Sequence, residues 1–199
     1  MLQMVGVLLG ERMPDDGQLL VVGAGGGLEM RYLAGVEPRW RFVGVDPASA
    51  MLDLARAVVG PVAGDRLTLI EGTVLDAPSG PFDAATCILV LGLIADDGSK
   101  LALLQEVRRR LNPGAPFILV DQCIDRSAPD VERRLARYAS YALRSGVDAD
   151  IVADAKAAVG ALESMVPDWR NEELLRGAGF HDAEVFYTGM AWRGWVAYA

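Results

Sequence analysis

The chain of 199 residues is poor in the side chains from which metal and thiol sites are built. It has two cysteines, Cys87 and Cys123, one histidine, His181, and no Cys-x-x-Cys or Cys/His spacing. No metal site is therefore expected, and a Ser/His/Asp triad would have to use His181, which opens a predicted strand and is interpreted as a surface residue. Two cysteines within apolar runs fit free thiols in a reducing compartment, which predicts a cytoplasmic location.

Positive charge and long apolar runs are also scarce. Lys and Arg number 19 against 27 Asp and Glu, a formal net charge of -8, and such a surface disfavours nucleic acid and anionic membranes as partners. The densest basic run, residues 108–110, lies on a predicted helix and is interpreted as a solvated face. No apolar run is long enough to span a membrane, and residues 1–9 lack the basic start and cleavage site of a secretory signal. With 52% hydrophobic residues, the chain is expected to fold as one globular domain, 1–199.

Glycine is abundant, and it is concentrated after one short apolar run. Residues 19–30 read LLVVGAGGGLEM, with four glycines in five positions. A buried strand, a glycine turn and a helix start together form a corner where the backbone can approach an anion or nucleotide closely. A dinucleotide fingerprint would need its third glycine where Leu28 stands, which makes a nicotinamide dehydrogenase a remote alternative. A plain tight turn is the other alternative.

An acidic residue follows the next apolar run at an informative distance. The segment 41–46, RFVGVD, reads as a second strand that ends in Asp46, roughly twenty residues beyond the glycines. A βαβ unit places an acid there to accept hydrogen bonds from both ribose hydroxyls. Asp46 is also placed to cap the helix that starts near Pro47, and the two roles can coexist.

The rest of the chain continues the alternation of strands and helices. Five strands alternate with helices, which predicts a parallel α/β sheet with right-handed crossovers. Residues 127–165 are mostly helical with a break near 145–146, and a helix over 171–176 follows. The short connection at 188–190 requires an antiparallel pair of final strands. The predicted strands are 19–22, 40–45, 67–70, 82–90, 116–121, 182–187 and 191–198, and the crossover helices are 26–34, 48–59 and 98–111.

The order and spacing of these motifs carry a resemblance. The glycine loop, VGVD at 43–46, PASAML at 47–52, FDAATC at 82–87, RLNPG at 110–114 and GAGF at 177–180 together resemble the class I S-adenosylmethionine-dependent methyltransferases. The resemblance implies a three-layer α/β sandwich whose seven-stranded, mostly parallel sheet has the order 3-2-1-4-5-7-6, with the last strand antiparallel. It also implies that residues 123–170 are a helical insertion covering the substrate side.

The resemblance implies S-adenosyl-L-methionine as cofactor, with contacts along four loops. The glycine loop would lie against methionine and ribose, Asp46 would hold the ribose hydroxyls, and the next helix would pack near adenine. Relatives often carry an acid where Thr73 stands, so Thr73 or a backbone carbonyl would replace it and Val74 would offer its N–H. The implied contacts are Gly23, Ala24, Gly25, Gly27, Asp46, Pro47, Met51, Gly72, Thr73, Val74, Cys87, Ile88 and Leu89, with pure core packing an equal interpretation for Ile88.

Methyl transfer needs mainly the alignment of a nucleophile with the methyl carbon, and no catalytic residue is identified. Tyr138 and Tyr141 share one helical face and are candidates for contact with a small-molecule substrate; packing on the sheet with Leu135 is the alternative. Relatives often carry a histidine near the substrate where Gly92 stands, which favours an apolar or weakly polar acceptor. A homodimer is one assembly that the sequence allows.

Two other functions stay open. Residues 96–121 and 180–199 are similar to the carboxy-S-adenosylmethionine synthase branch, which performs a carboxyl transfer and needs cations for the extra carboxylate. Lys156 is the cation on offer in the helical insertion, and the expected arginine is not matched. A cofactor-binding module without catalysis is the other alternative.

Overall fold

The computed structural model describes residues 1–199 and forms one seven-stranded sheet with helices on both faces. The sheet order is β3-β2-β1-β4-β5-β7-β6, which confirms the predicted order. β7 runs antiparallel to both β5 and β6, and the remaining pairs are parallel. The strands are β1 (Gln18–Val22), β2 (Arg41–Asp46), β3 (Leu67–Glu71), β4 (Ala84–Ile88), β5 (Pro116–Gln122), β6 (His181–Gly189) and β7 (Trp192–Tyr198).

Helices cover both sides of this sheet and bury its apolar strands. α1, α2 and α3 pack on one face, and α4 and α7 pack against each other on the opposite face. α5 and α6 form a helical pair between β5 and α7, where the sequence predicts an insertion. The helices are α1 (Leu2–Gly10), α2 (Leu28–Val36), α3 (Ser49–Ala63), α4 (Ser99–Arg109), α5 (Val131–Arg144), α6 (Ala149–Ala161) and α7 (Asp168–Gly177).

Most element boundaries differ from the sequence prediction by one to four residues, and three of the differences are instructive. α2 begins at Leu28 rather than 26, because Gly27 has a left-handed φ of +81° that helical backbone does not allow. β4 ends at Ile88 rather than 90, because Leu89 has a φ of +59°. α3 continues through Pro61 to its last residue, Ala63, which is 3% exposed, although the proline removes one backbone hydrogen bond.

The basic run at 108–110 is not uniformly solvated, so that interpretation is wrong for Arg110. Its side chain is 8% exposed, pairs with Glu106, and donates to the carbonyl oxygens of Leu75 and Ala77. Arg109 is exposed and pairs with the same Glu106 carboxylate. The run therefore fixes the end of α4 to the loop after β3.

The final hairpin places its two tryptophans as the strand alternation predicts. Trp195 is 1% exposed in the core, while Trp192 is half-buried against Tyr138 and Tyr141 of α5. His181 opens β6 as an exposed residue. No helix combines the length and the apolar character that crossing a membrane requires. No cluster of three or more His, Cys, Asp or Glu side chains is placed to hold a metal ion.

Candidate functional site

The carboxyl ends of β1 and β2 meet at one edge of the sheet, where backbone hydrogen bonds fix the glycine loop. The N–H groups of Gly23 and Ala24 both donate to the carbonyl oxygen of Val45, each at 2.9 Å. Gly23 has a φ of +75°, and a Cβ there would collide with the Val90 side chain. The loop is therefore held by β2 on one side and closed by the segment after β4 on the other.

Asp46 is bonded to both loops that flank it. Its Oδ2 accepts a hydrogen bond from the Gly25 N–H at 2.8 Å, and its Oδ1 accepts one from the Ala48 N–H at 2.9 Å. Each oxygen of an ionised carboxylate can accept about two hydrogen bonds, so each retains one free acceptor position. The bond to Ala48 is the capping contact that the sequence suggests, and the bond to Gly25 aligns the carboxylate with the glycine loop.

Space for a ligand lies beside this carboxylate. A cavity of about 350 Å³ opens at the strand ends, within the range of about 300–1,000 Å³ that ligand pockets occupy. A Cβ at Gly25 would meet nothing closer than 3.8 Å, so the loop faces open space there. The cavity is lined by Val22, Gly23, Val45, Asp46, Pro47, Ala48, Gly72, Thr73, Val74, Val90, Leu93, Ile94 and Leu103.

The structure brings about half of the candidate cofactor residues to this cavity. Six of them line it, namely Gly23, Asp46, Pro47, Gly72, Thr73 and Val74. Gly25 adjoins it through its bond to Asp46, and the Met51 methyl group lies 3.8 Å from the Cβ position of Gly25.

The other candidates lie elsewhere around the site. Gly27 faces α3, where a Cβ would come within 2.5 Å of Val59. Ala24 and Cys87 are buried core residues, and Ile88 packs partly buried beside the core. Leu89, about half exposed, lines a second cavity instead. None of these five residues lines the cavity beside Asp46.

Thr73 uses its hydroxyl to order the loop after β3. The Thr73 oxygen accepts from the Leu75 N–H at 3.3 Å, and the Thr73 N–H donates to Asp76 at 2.8 Å. This reciprocal pattern is a capping box on a short 3-10 turn, Val74–Asp76. Gly72 has a φ of +143°, and a Cβ there would collide with Asp76. The loop is therefore fixed by Thr73 and Asp76 together.

Sequence reasoning missed the apolar wall of the cavity. The apolar residues Val90, Leu93, Ile94 and Leu103 line the same cavity as Asp46. They come from the segment after β4 and from α4, and an apolar sequence pattern alone does not separate a cavity wall from core. Leu93 also lines the second cavity and therefore lies between the two cavities.

The second cavity, of about 220 Å³, lies under the helical insertion. Tyr138 lines it and contacts Trp192 edge-on, with ring centroids 5.4 Å apart. Tyr141 is 54% exposed and does not line it, although its ring lies 6.4 Å from Trp192. The two candidate substrate residues are thus separated, and only Tyr138 lines the cavity that adjoins the first one at Leu93.

Comparison with known proteins agrees with this geometry. Residues 20–117 match the family model described as "Methyltransferase domain". That segment, just under half of the chain, is similar to methyltransferase domains. A domain of this family and fold implies S-adenosylmethionine as the cofactor, as the sequence resemblance predicts.

Individual relatives are distant. The chain is 20% identical over 198 residues to carboxy-S-adenosyl-L-methionine synthase of Dichelobacter nodosus, covering 99% of this chain and 81% of that one. An O-methyltransferase family protein from Burkholderia thailandensis superposes with a TM-score of 0.72 at 14% identity, covering 100% of this chain and 55% of that one. A SAM-dependent methyltransferase from Aquifex aeolicus gives a TM-score of 0.68 at 16% identity, covering 99% and 88%.

These structural likenesses establish the fold. The chain spans little more than half the length of several of the matched structures. The part that it shares with them is the complete sheet with its flanking helices.

Proposed function

We propose that the protein binds S-adenosylmethionine at the Asp46 corner and transfers its methyl group to a small molecule. The observation that carries this proposal is the pairing of Asp46 with the Gly25 N–H at the mouth of a 350 Å³ cavity. The carboxylate is oriented towards the glycine loop and keeps two free acceptor positions for a pair of ribose hydroxyls. The cofactor supplies an electrophilic methyl carbon on a positively charged sulfur.

The residues around the cavity suit the parts of this cofactor. Gly25 leaves room for a close backbone approach, and the half-buried Asp46 supplies the only carboxylate that lines the cavity. Pro47, Val74 and Leu103 offer an apolar surface for a planar base. The chain's own task is to bind and align, and alignment alone can contribute about 7–11 kcal/mol to lowering the barrier in favourable cases.

Carboxyl transfer, the alternative suggested by the distant synthase relative, fits these cavities less well. A carboxylated cofactor carries an extra negative charge that needs a cation beside it. No Lys or Arg lines either cavity, and Lys156 on α6 is not among the lining residues. The second cavity instead has Asp121 in its wall, which would repel a carboxylate. A cytoplasmic location and a homodimer stay predictions.

Titration calorimetry with S-adenosylhomocysteine tests the proposal. We expect binding by the wild type and a loss of about 10- to 150-fold in Asp46→Ala, since hydrogen bonds to a charged group contribute about 1.5–3 kcal/mol. Asp53→Ala on α3 is the matched control, because that exposed carboxylate pairs only with Arg56. Unchanged affinity in Asp46→Ala would refute the ribose assignment, and no binding by the wild type at millimolar ligand would refute the function.

A thermal melt without ligand separates binding from folding. Asp46→Ala also removes the bonds to Gly25 and Ala48, so it is expected to lower the melting temperature. Asp46→Asn keeps an acceptor oxygen for one of these N–H groups, and its affinity loss then measures the missing charge and second acceptor. If only the melting temperature changed in both variants, Asp46 would be structural.

A further inference from the structure

The second cavity is lined mainly by apolar side chains, which come from four parts of the chain. Leu89 and Leu93 come from the segment after β4, Tyr138 comes from α5, and Trp192 comes from β7. Val159, Leu162 and Met165 complete the wall from the helical insertion. An engineered apolar cavity of about 150 Å³ holds benzene, so 220 Å³ suits one substituted ring.

Two polar residues at the end of β5 stand out in this apolar lining. Asp121 is 2% exposed and Gln122 is 8% exposed. Asp121 Oδ1 accepts from the Gln122 N–H at 2.9 Å, but Asp121 Oδ2 and Gln122 Nε2 have no hydrogen-bond partner within the protein. Leaving a buried polar atom unpartnered costs about 1–3 kcal/mol, and native structures rarely do so. Both residues line the cavity, so the structure leaves an acceptor on Asp121 and a donor on Gln122 without a protein partner beside it.

The turn between the two cavities is built around this carboxylate. A Cβ at Gly92 would lie 2.9 Å from Asp121 Oδ1, so the missing side chain lets the carboxylate approach the turn. Lys100 Nζ donates to the carbonyl oxygen of Leu91, and Ser164 Oγ donates to that of Gly92. The space beside Gly92 is thus occupied by the Asp121 carboxylate, which comes from the neighbouring strand β5.

We propose that the second cavity binds the methyl acceptor, a neutral molecule of about one ring with a hydroxyl or amine group, and that Asp121 accepts that group's proton. This inference rests on the proposed function. In the reaction the carbon–sulfur bond breaks with its electrons left on sulfur, a carbon–oxygen or carbon–nitrogen bond forms, and the acceptor's proton ends on Asp121. Gln122 Nε2 donates to the acceptor and orients it.

The charges around Asp121 suit this role. Burial raises the pKa of Asp121 to about 6 and is the largest influence on it. The backbone N–H groups of Gln122 and Gly92, the positive charge of Lys100 on α4 and the side chain of Asn171 on α7 act in the opposite direction and favour the ionised form. The thiols of Cys87 and Cys123, the other titratable groups beside it, are held neutral by burial and by Asp121 itself. At pH 7 to 8 Asp121 is thus an ionised base that attracts a proton donor and repels an anion.

Calorimetry in the presence of saturating S-adenosylhomocysteine tests the inference with four probes of one size: phenol, aniline, fluorobenzene and benzoate. At pH 8 we expect phenol and aniline to bind at least about tenfold more tightly than fluorobenzene, since each donates to a charged group, and we expect benzoate not to bind. Phenol affinity should fall between pH 8 and pH 5 as Asp121 is protonated.

Asp121→Asn supplies the decisive comparison, with Asp154→Asn, an exposed site on α6, as the matched control. Asp121→Asn should lose the preference for phenol over fluorobenzene and the pH dependence, and the control should keep both. If S-adenosylhomocysteine binds but no probe does, or benzoate binds as well as phenol, or Asp121→Asn keeps the preference, the acceptor assignment is wrong while the cofactor assignment stands. If S-adenosylhomocysteine itself does not bind, the proposed function fails first.

Discussion

Replacing Asp121 by Asn should change how stability depends on pH, because this carboxyl group is buried in the folded chain and solvated in the unfolded one. Its pKa rises from 3.8 to about 6 on folding, with burial as the main cause. Between these values the folded state holds a proton that the unfolded state has released. The free energy of unfolding contributed by Asp121 therefore falls as pH rises through this window, and is lowest above pH 6.

The size of the effect follows from the two pKa values. A pH interval of 6 - 3.8 = 2.2 corresponds to about 3 kcal/mol at about 1.36 kcal/mol per pH unit. Asn cannot ionise, so the free energy of unfolding of Asp121→Asn minus that of the wild type should increase by about 2.4 kcal/mol from pH 4 to pH 7, the part of the total that falls within this interval. For a chain of this length that is about 5–10 °C in melting temperature.

Urea denaturation of both proteins at pH 4, 5, 6 and 7 measures this difference, and comparing differences cancels the ionisation of every other group. Asp154→Asn, which changes an exposed carboxylate in the same way, should show a difference that does not vary with pH. Parallel stability curves for Asp121→Asn and the wild type would show that Asp121 is not desolvated. Its proposed role as a buried base would then lose its basis.

Two further results are expected from packing and burial. Gly27→Ala should destabilise the fold by more than about 2 kcal/mol in urea denaturation, because the φ of Gly27 is +81° and the new Cβ would meet Val59 at 2.5 Å. The control Gly35→Ala, where nothing lies within 4 Å of the new Cβ, should instead stabilise α2 by about 0.5–1 kcal/mol. Equal effects of the two substitutions would contradict the close approach of α2 and α3. Burial raises the pKa of both Cys87 and Cys123, so a thiol reagent at pH 8 should label neither in the native protein and both in urea; rapid native labelling would contradict their burial.

The architecture was predictable from the sequence because its signals are local. Short apolar runs separated by helical segments indicate a parallel sheet, and the connection at 188–190 is too short for anything but an antiparallel pair. The full strand order came from the family resemblance, since no local pattern specifies which strands pair across the sheet. Boundaries were less accurate where one residue's backbone decided them, as at Gly27 and Leu89, whose positive φ values end regular structure.

The candidate cofactor corner was predictable only in part. Spacing alone placed Asp46 beside the glycine loop, but its bond to the Gly25 N–H depends on how β1 and β2 pair. The sequence does contain a pattern that indicates the conformation of Thr73, because Thr73 and Asp76 stand three residues apart, as in a capping box. The apolar wall at Val90 and Leu93 had no such signal, since only the tertiary structure separates a wall from core.

Asp46 and Asp121 stand at the ends of apolar strands of the same kind, β2 and β5, yet the structure gives them opposite environments. Both follow a buried apolar strand, and both stand at the same edge of the sheet. Asp46 is half-buried with a backbone N–H on each oxygen, which fixes the orientation of the carboxylate and suits it to hold hydroxyl groups. Asp121 is buried with one oxygen unpartnered, which makes its charge costly and suits it to take up a proton. The sequence pattern is the same for both, so only their partners separate a binding carboxylate from a basic one.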